Sequence, residues 1–343
     1  MTASTIGDSR PAPAVAFAGF WRRIGAALLD TILLGLVGWA LSIAIHDQLM
    51  QFGQQARFIG LPIALLYFGV FNSRLGGGGT PGKRALDIAV VRRGGQNIGL
   101  LRSLWRALVY LVPAYLNGYD LSYLPVDKVQ MEIAAAVDVV LVFGVLGGTV
   151  YLYLFNWRTR QVMHDLAAGT FVVRRAGAGH QIDARINRAH VVVIAFLLLA
   201  PAAAIGVGLK YLGPQWETAL SRMTGTDFST LKRIQSTVNA DPNILSTGVT
   251  TNTTHFSAVG SGSTTSTALI VTVVTRGAVD RPEAFADRVA ARVLALAPTA
   301  LGEQKLTIVV REGYDIGLWS NWSNYGYSHT PAEWRARLAA AAK

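Results

Sequence analysis

The chain contains no cysteine. Disulfides, a thiol nucleophile and a thiolate-bound metal are therefore excluded, which suits a segment exported to an oxidising compartment. Charge is scarce as well. It makes up 15% of the 343 residues, where a soluble domain carries about 25%. With a mean hydropathy of +0.36, much of the chain is expected to face lipid. Acids are scarcest: 20 Asp/Glu stand against 31 Lys/Arg, a net charge of +11. The excess is uneven, with 18 bases against 10 acids in residues 1–188 and 12 against 10 in residues 214–343. No interleaving of aromatic and basic residues suggests a nucleic-acid binder. Basic loops beside a membrane set orientation and touch anionic lipid headgroups. Enzyme signatures are lacking too. His46, His164, His180, His190, His255 and His329 show no metal-ligand spacing, and there is no G-x-S-x-G elbow. No catalytic residue, metal or cofactor is expected.

What the chain does have is long apolar runs. Ile24–Ile45 and Ile133–Phe155 are each long enough to span a bilayer, and so is Val191–Leu212. Phe58–Phe71 is marginal in length, and Leu104–Leu116 is short and interrupted by Pro113. Three basic regions should be cytoplasmic: Arg10 to Arg23, Arg74–Arg106 and Arg158–Arg188. All three fall on one side only if Leu104 to about Tyr123 crosses, so five spans are favoured. The alternative is four spans and an in-plane helix with Arg102 and Arg106 on one face at the headgroups. The expected fold is a polytopic α-helical membrane protein with a C-terminal soluble α+β domain. Its parts are a mobile polar tail (1–16), a membrane domain (17–175), a basic linker with the final span (176–213) and an exported domain (214–343). The tail is not read as a cleaved signal peptide, because the apolar run behind it is too long.

Within residues 214–343, Phe228–Asn239 reads as a helix. Thr250–Ala258 and Ala268–Thr275 read as β-rich segments joined by a flexible Gly260–Ser266. Arg281–Ala297 is amphipathic, with Phe285, Val289 and Val293 on one face. Lys305–Arg311 alternates like a strand. One helix on a small sheet is the simplest arrangement, with the aromatic tail Trp319–Trp334 a loop packed back on it rather than a binding surface.

Two charges stand out in the first span. Arg23 and Asp30 are two helical turns apart, about 10 Å along the axis, and cannot pair with each other. Arg23 can snorkel to phosphates. Asp30 is too short to reach water, and a lone carboxylate there costs about 2.5 kcal/mol or more. It should be protonated or paired with a base from another segment: Arg102, Arg106, Arg158 or Arg160. A buried structural pair and an ion or proton site are both open readings. His164 beside Asp165 does not make a dyad; Asp165 is expected to cap a helix or pair with an arginine near the membrane surface. Gly77–Lys83 has the G-x-x-x-x-G-K spacing of a phosphate-binding loop, but Arg84 replaces the magnesium-binding hydroxyl and Pro81 removes an N–H donor. No nucleotide is expected. The glycines let the chain turn at the membrane, Arg74, Lys83 and Arg84 meet lipid phosphates, and LDIAVV pairs with QNIGLL as a hairpin.

Three blocks, FWRRIGAALLD (Phe20–Asp30), GGTPGKRALDIAVVRRGGQNIGLLRSLWR (Gly78–Arg106) and RTRQVMHDLAAGTFVV (Arg158–Val173), together resemble the RDD family of bacterial membrane proteins, named for an arginine and two aspartates. The resemblance covers about residues 17–175 and assigns Arg23, Asp30 and Asp165 to the named positions. That family is usually described with three spans, and Asp87 stands where it commonly has glycine. The resemblance implies a membrane module in the bacterial inner membrane without a settled activity, since some members are described as sodium/proton antiporters and a eukaryotic relative is a subunit of a membrane degradation complex. Two functions follow. One is a scaffold or accessory subunit whose outer domain recruits a protein partner. The other is a cation or proton transporter using Asp30, working as a homo-oligomer.

Overall fold

The computed structural model describes residues 16–119, 121, 128–207, 228–258, 261–296 and 304–341. The expected tail up to residue 15, half of the insert around Asn117–Gln130 and the end of the last span fall outside them. The chain forms two compact units. One comprises Met1–Leu34, Pro62–Asn117 and Asp138–Pro201; the other comprises Gly35–Leu61, Gly118–Val137 and Ala202–Lys343.

Among the described residues, three helices are long and apolar enough to cross a membrane: Phe20–Ala44, Ile133–Phe155 and Arg188–Ile205. The first is α1 (Phe20–Ala44), followed by α2 (His46–Phe52) and α3 (Arg57–Asn72). After the glycine loop come α4 (Pro81–Ala85), strand β1 (Ile88–Arg92) and α5 (Leu100–Leu116). The second span is one continuous helix built of α6 (Lys128–Val139), a π-helical stretch over Val140–Leu146 and α7 (Gly147–Phe155). Then follow α8 (Met163–Ala168), β2 (Thr170–Arg174) and α9 (Arg188–Val207). Large apolar side chains on these helices remain exposed, among them Leu28, Ile32, Phe143 and Phe196, as lipid-facing surfaces do.

In the first unit, β1 pairs antiparallel with β2, from Ile88 opposite Arg174 to Arg92 opposite Thr170. This corrects the expected hairpin. Of QNIGLL, only Asn97 bridges Val91; Gly99 then caps α5, which takes up Leu100. The two real partners, IAVVR and TFVVR, each carry three β-branched residues and are each buried at four positions in five. Residues 16–18 join the far edge of β2, where Ala18 N donates to the Val172 carbonyl at 2.9 Å and Arg174 N to that of Ala16 at 2.9 Å.

In the second unit a four-stranded sheet has the order β3 (Ile244–Ala258), β4 (Ser261–Thr275), β5 (Lys305–Asp315), β6 (Ser320–His329). Its outer pairs are antiparallel. The central β4–β5 pair is parallel, connected through α11 (Pro282–Leu296). Phe285, Val289 and Val293 of α11 meet Val271, Val273, Leu306 and Ile308 in the core, as the periodicity predicts. Helix α10 (Phe228–Asn239) adds Ile234 and Val238 to that core. Three sequence expectations are corrected here. Ser261–Ser266 is not a flexible linker but continues β4, in register with β3. The aromatic tail is strand β6 followed by α12 (Pro331–Ala341) rather than a loop. Among the described residues three helices, not one, pack on the sheet. Trp334 of α12 is fully buried, and its indole N–H donates to the Leu306 carbonyl at 2.9 Å.

Candidate functional site

The first unit holds a partly open cavity of about 90 Å³ lined by side chains of all three blocks. Two carboxylates organise it, and different chemistry holds each.

Asp165 lies in the first turn of α8 and has no exposed surface. Arg23 Nη1 donates to its Oδ2 at 3.1 Å, while Arg106 donates to Oδ1 through Nε at 3.0 Å and Nη2 at 2.7 Å. Thr170 Oγ1 donates to Oδ1 at 3.2 Å and Val162 N to Oδ2 at 3.4 Å. Arg23 therefore serves Asp165, not Asp30. Burial alone would raise the Asp165 carboxyl, but Arg106, with His164 and Arg23, holds it well below the usual carboxylate range. His164 is pushed down to about 3 by burial and by Arg106, so it is neutral beside Asp165. Its Nε2 stays 3.9 Å from Asp165 Oδ1, outside hydrogen-bond reach, and the two form no dyad.

Asp30 is likewise buried, but its partners are neutral. Tyr67 donates its hydroxyl to Oδ1 at 2.8 Å, Gly82 its N–H to Oδ1 at 2.9 Å, and Thr80 its hydroxyl to Oδ2 at 2.5 Å. Three donors and no acceptor suit an ionised carboxylate. The local sequence builds this cradle. Thr80 caps α4, accepting from Lys83 N at 3.3 Å, and Pro81 starts that helix. Position 82 must be glycine, because a Cβ there would collide with the Ala26 carbonyl and the Asp30 carboxylate. Of the four arginines proposed for Asp30, none bonds it. Arg106 lines the same cavity but is committed to Asp165. Arg102 and Arg158 are exposed, and half-buried Arg160 adopts a positive φ of 50° in the loop after α7. Arg102 and Arg106 do not share one exposed face of α5, because Arg102 is exposed and Arg106 is 5% exposed.

The three proposed headgroup contacts separate. Arg74 is exposed. Arg84 folds over the glycine loop, donating from Nε to the Gly79 carbonyl at 3.0 Å and from Nη2 to that of Gly76. Lys83 turns inward and lines the cavity, with Nζ 5.7 Å from the Phe68 ring centroid and 3.5 Å from Thr80 Oγ1. Burial, then Arg106, push its ammonium down to about 7, against Asp30 and Asp165. The capping geometry at Thr80, which directs Lys83 inward, is not legible from a glycine-rich stretch alone. Tyr67 and Thr80 carried no signal as Asp30 partners, since nothing local ties them to it. Asp87, where glycine is expected, adopts φ 56°, the left-handed region that glycine enters without cost.

Residues 17–169 match the family model described as the RDD family. No curated protein and no solved structure matches the chain.

Proposed function

We propose, from the membership of residues 17–169 in the RDD family, that this membrane protein is a scaffold or accessory subunit of the bacterial inner membrane. Its RDD domain is the anchor, and its C-terminal α+β domain recruits a protein partner outside the cytoplasm. The carrying observation is the seat of that domain within the second unit. Its segment Gly313–Leu318 closes on the end of α1, on α2 and on the start of α3, with Tyr314 fully buried against Ser42 and His46.

Strand pairing supports five crossings. Residues 16–18, β1 and β2 are hydrogen-bonded to one another and must share one side of the membrane. Between Ala18 and β1 lie α1 and α3. Helix α1 crosses, so α3 crosses too, its 16 residues giving about 24 Å. Between β1 and β2 lie α5 and the Ile133–Phe155 span, so α5 also crosses. The far end of α5 agrees: Gln54 Nε2 donates to the Gly118 carbonyl at 2.6 Å. With α9 the count is five, and the positive-inside rule puts the basic strand side in the cytoplasm. The exposed tryptophans Trp21, Trp105 and Trp157 flank that side as an interfacial belt would.

The second reading, cation or proton transport, rests on the cavity that touches both Asp30 and Lys83. Gentle purification from the native membrane separates the two. A foreign protein at fixed stoichiometry is the expected result. A pure homo-oligomer whose sodium or proton flux vanishes in Asp30→Asn, with stability unchanged, would overturn the scaffold reading.

A further inference from the structure

The cavity of the first unit carries a charge that its own walls leave uncancelled. Arg23 and Arg106 share a single carboxylate, Asp165. Asp30 gives both oxygens to Tyr67, Thr80 and Gly82. Lys83 makes no ion pair among the described residues and reaches only the Thr80 hydroxyl, at 3.5 Å. Three cations thus stand against two carboxylates, and His164 adds no charge near neutral pH. A second observation points to a missing acceptor. Arg23 is 6% exposed, and although the Tyr153 hydroxyl stands beside its guanidinium, its Nε–H is buried without a hydrogen-bond partner among the described residues. Buried donors of charged groups are seldom left unmatched.

We propose that this cavity binds one monovalent anion against Lys83 and Arg23. The chemistry is a single negative charge of small radius, supplied either by a halide from solution or by the phosphodiester of a lipid headgroup. A volume of about 90 Å³ admits one such group. A dianion would exceed the surplus, and the wall segments of Ala26, Ala27, Ala107 and Val172 offer nothing to replace its hydration. The cavity has two routes to neutrality, loss of the Lys83 proton or capture of an anion, so the two are linked. The groups that set the Lys83 charge are Arg23 and Asp30 of α1, Arg106 of α5, and Asp165 of α8.

The test uses the full chain, delipidated in detergent, with chloride titrated against gluconate at constant ionic strength while the unfolding midpoint is followed. In a parallel arm, phosphatidylglycerol is added back and its retention is read by native mass spectrometry. A chloride-dependent rise in the midpoint identifies the halide source, and Lys83-dependent retention of phosphatidylglycerol identifies the lipid source. In either arm, apparent affinity should fall about tenfold from pH 6 to pH 8, following the charged fraction of a group titrating near 7. Lys83→Gln should abolish binding. Lys83→Arg should keep it and remove the pH dependence, a result that stands even where Lys83→Gln does not fold. Binding that is unchanged in Lys83→Gln, binding by Lys83→Arg that keeps the wild-type pH dependence, or no response in either arm, would overturn the proposal.

Discussion

Asp165 and Asp30 are both buried carboxylates, but they should fail differently when their charge is removed. Asp165 neutralises two arginines that have almost no exposed surface. In Asp165→Asn those guanidinium groups lose their counter-charge inside the fold, which costs about 3–5 kcal/mol for a broken buried pair. Asp30 accepts only from neutral donors and the α4 backbone. Asparagine keeps one acceptor oxygen there, so Asp30→Asn should cost about 1–3 kcal/mol, the cost of one mismatched buried hydrogen bond. Unfolding midpoints of the purified variants should therefore rank wild type, Asp30→Asn, Asp165→Asn; the reverse order would mean that Asp30 carries the structural charge. His164 gives a pH test with a defined sign. Its folded pKa, about 3, lies below its ordinary value of 6.5. The unfolded chain therefore binds the extra proton between those values, and stability is full above about 6.5 and falls as pH drops toward 3. Between pH 7 and pH 5, above most carboxylate titrations, the midpoint of the wild type should fall while that of His164→Gln stays flatter. Equal slopes would mean that His164 is not held neutral.

Elements built on local periodicity were legible in the sequence, and those built on distant pairing were not. Ile133–Phe155 and Phe228–Asn239 could be bounded from sequence because one apolar run or one repeating face defines each. The partner of β1 could not, since IAVVR and TFVVR lie some 80 residues apart and QNIGLL offered a nearer strand-like run. The same limit hid the site. The nearest partner of Asp30 in sequence is Tyr67, 37 residues away, and Arg23 finds Asp165 across 142. Composition flagged the charges, but spacing alone paired Asp30 with the wrong bases. Helices α3 and α5 sit at the boundary of legibility, short for a bilayer yet joined at both ends. Ser73 after α3 bridges Ile98 before α5, and Gln54 before α3 meets Gly118 after α5. Because the chain has no cysteine, single-cysteine labelling can test this on an unaltered background. Gln54→Cys and Ser320→Cys should react with a membrane-impermeant maleimide applied from outside, and Arg93→Cys should react only after permeabilisation. Outside labelling of Arg93→Cys together with Gln54→Cys would remove the α3 crossing and with it the five-span count.

At the scale of the molecule, a domain with its own complete core is fastened to the end of α1, to α2 and to the start of α3 in the second unit. The core of Val271, Val289, Ile308 and Trp334 draws nothing from residues 35–61. The seat is a separate cluster in which Leu49, Met50 and Ala56 meet Tyr314 and Ile316. Close backbone approach makes it tight, since a Cβ at Gly60 would collide with the Ile316 carbonyl, and one at Gly38 would lie 2.8 Å from the Leu318 side chain. Arg57 adds an ion pair to Asp315 at 2.7 Å, with both side chains only 15–17% exposed. Truncating that pair removes a partly screened contact of about 1 kcal/mol, whereas filling the Gly60 contact forces the two segments apart. Gly60→Leu should therefore raise amide hydrogen exchange across Gly313–Leu318 strongly and Arg57→Ala only slightly, while protection in the β4–β5 core stays at the wild-type level in both. Core protection lost together with the seat would mean that domain and seat fold as one cooperative unit.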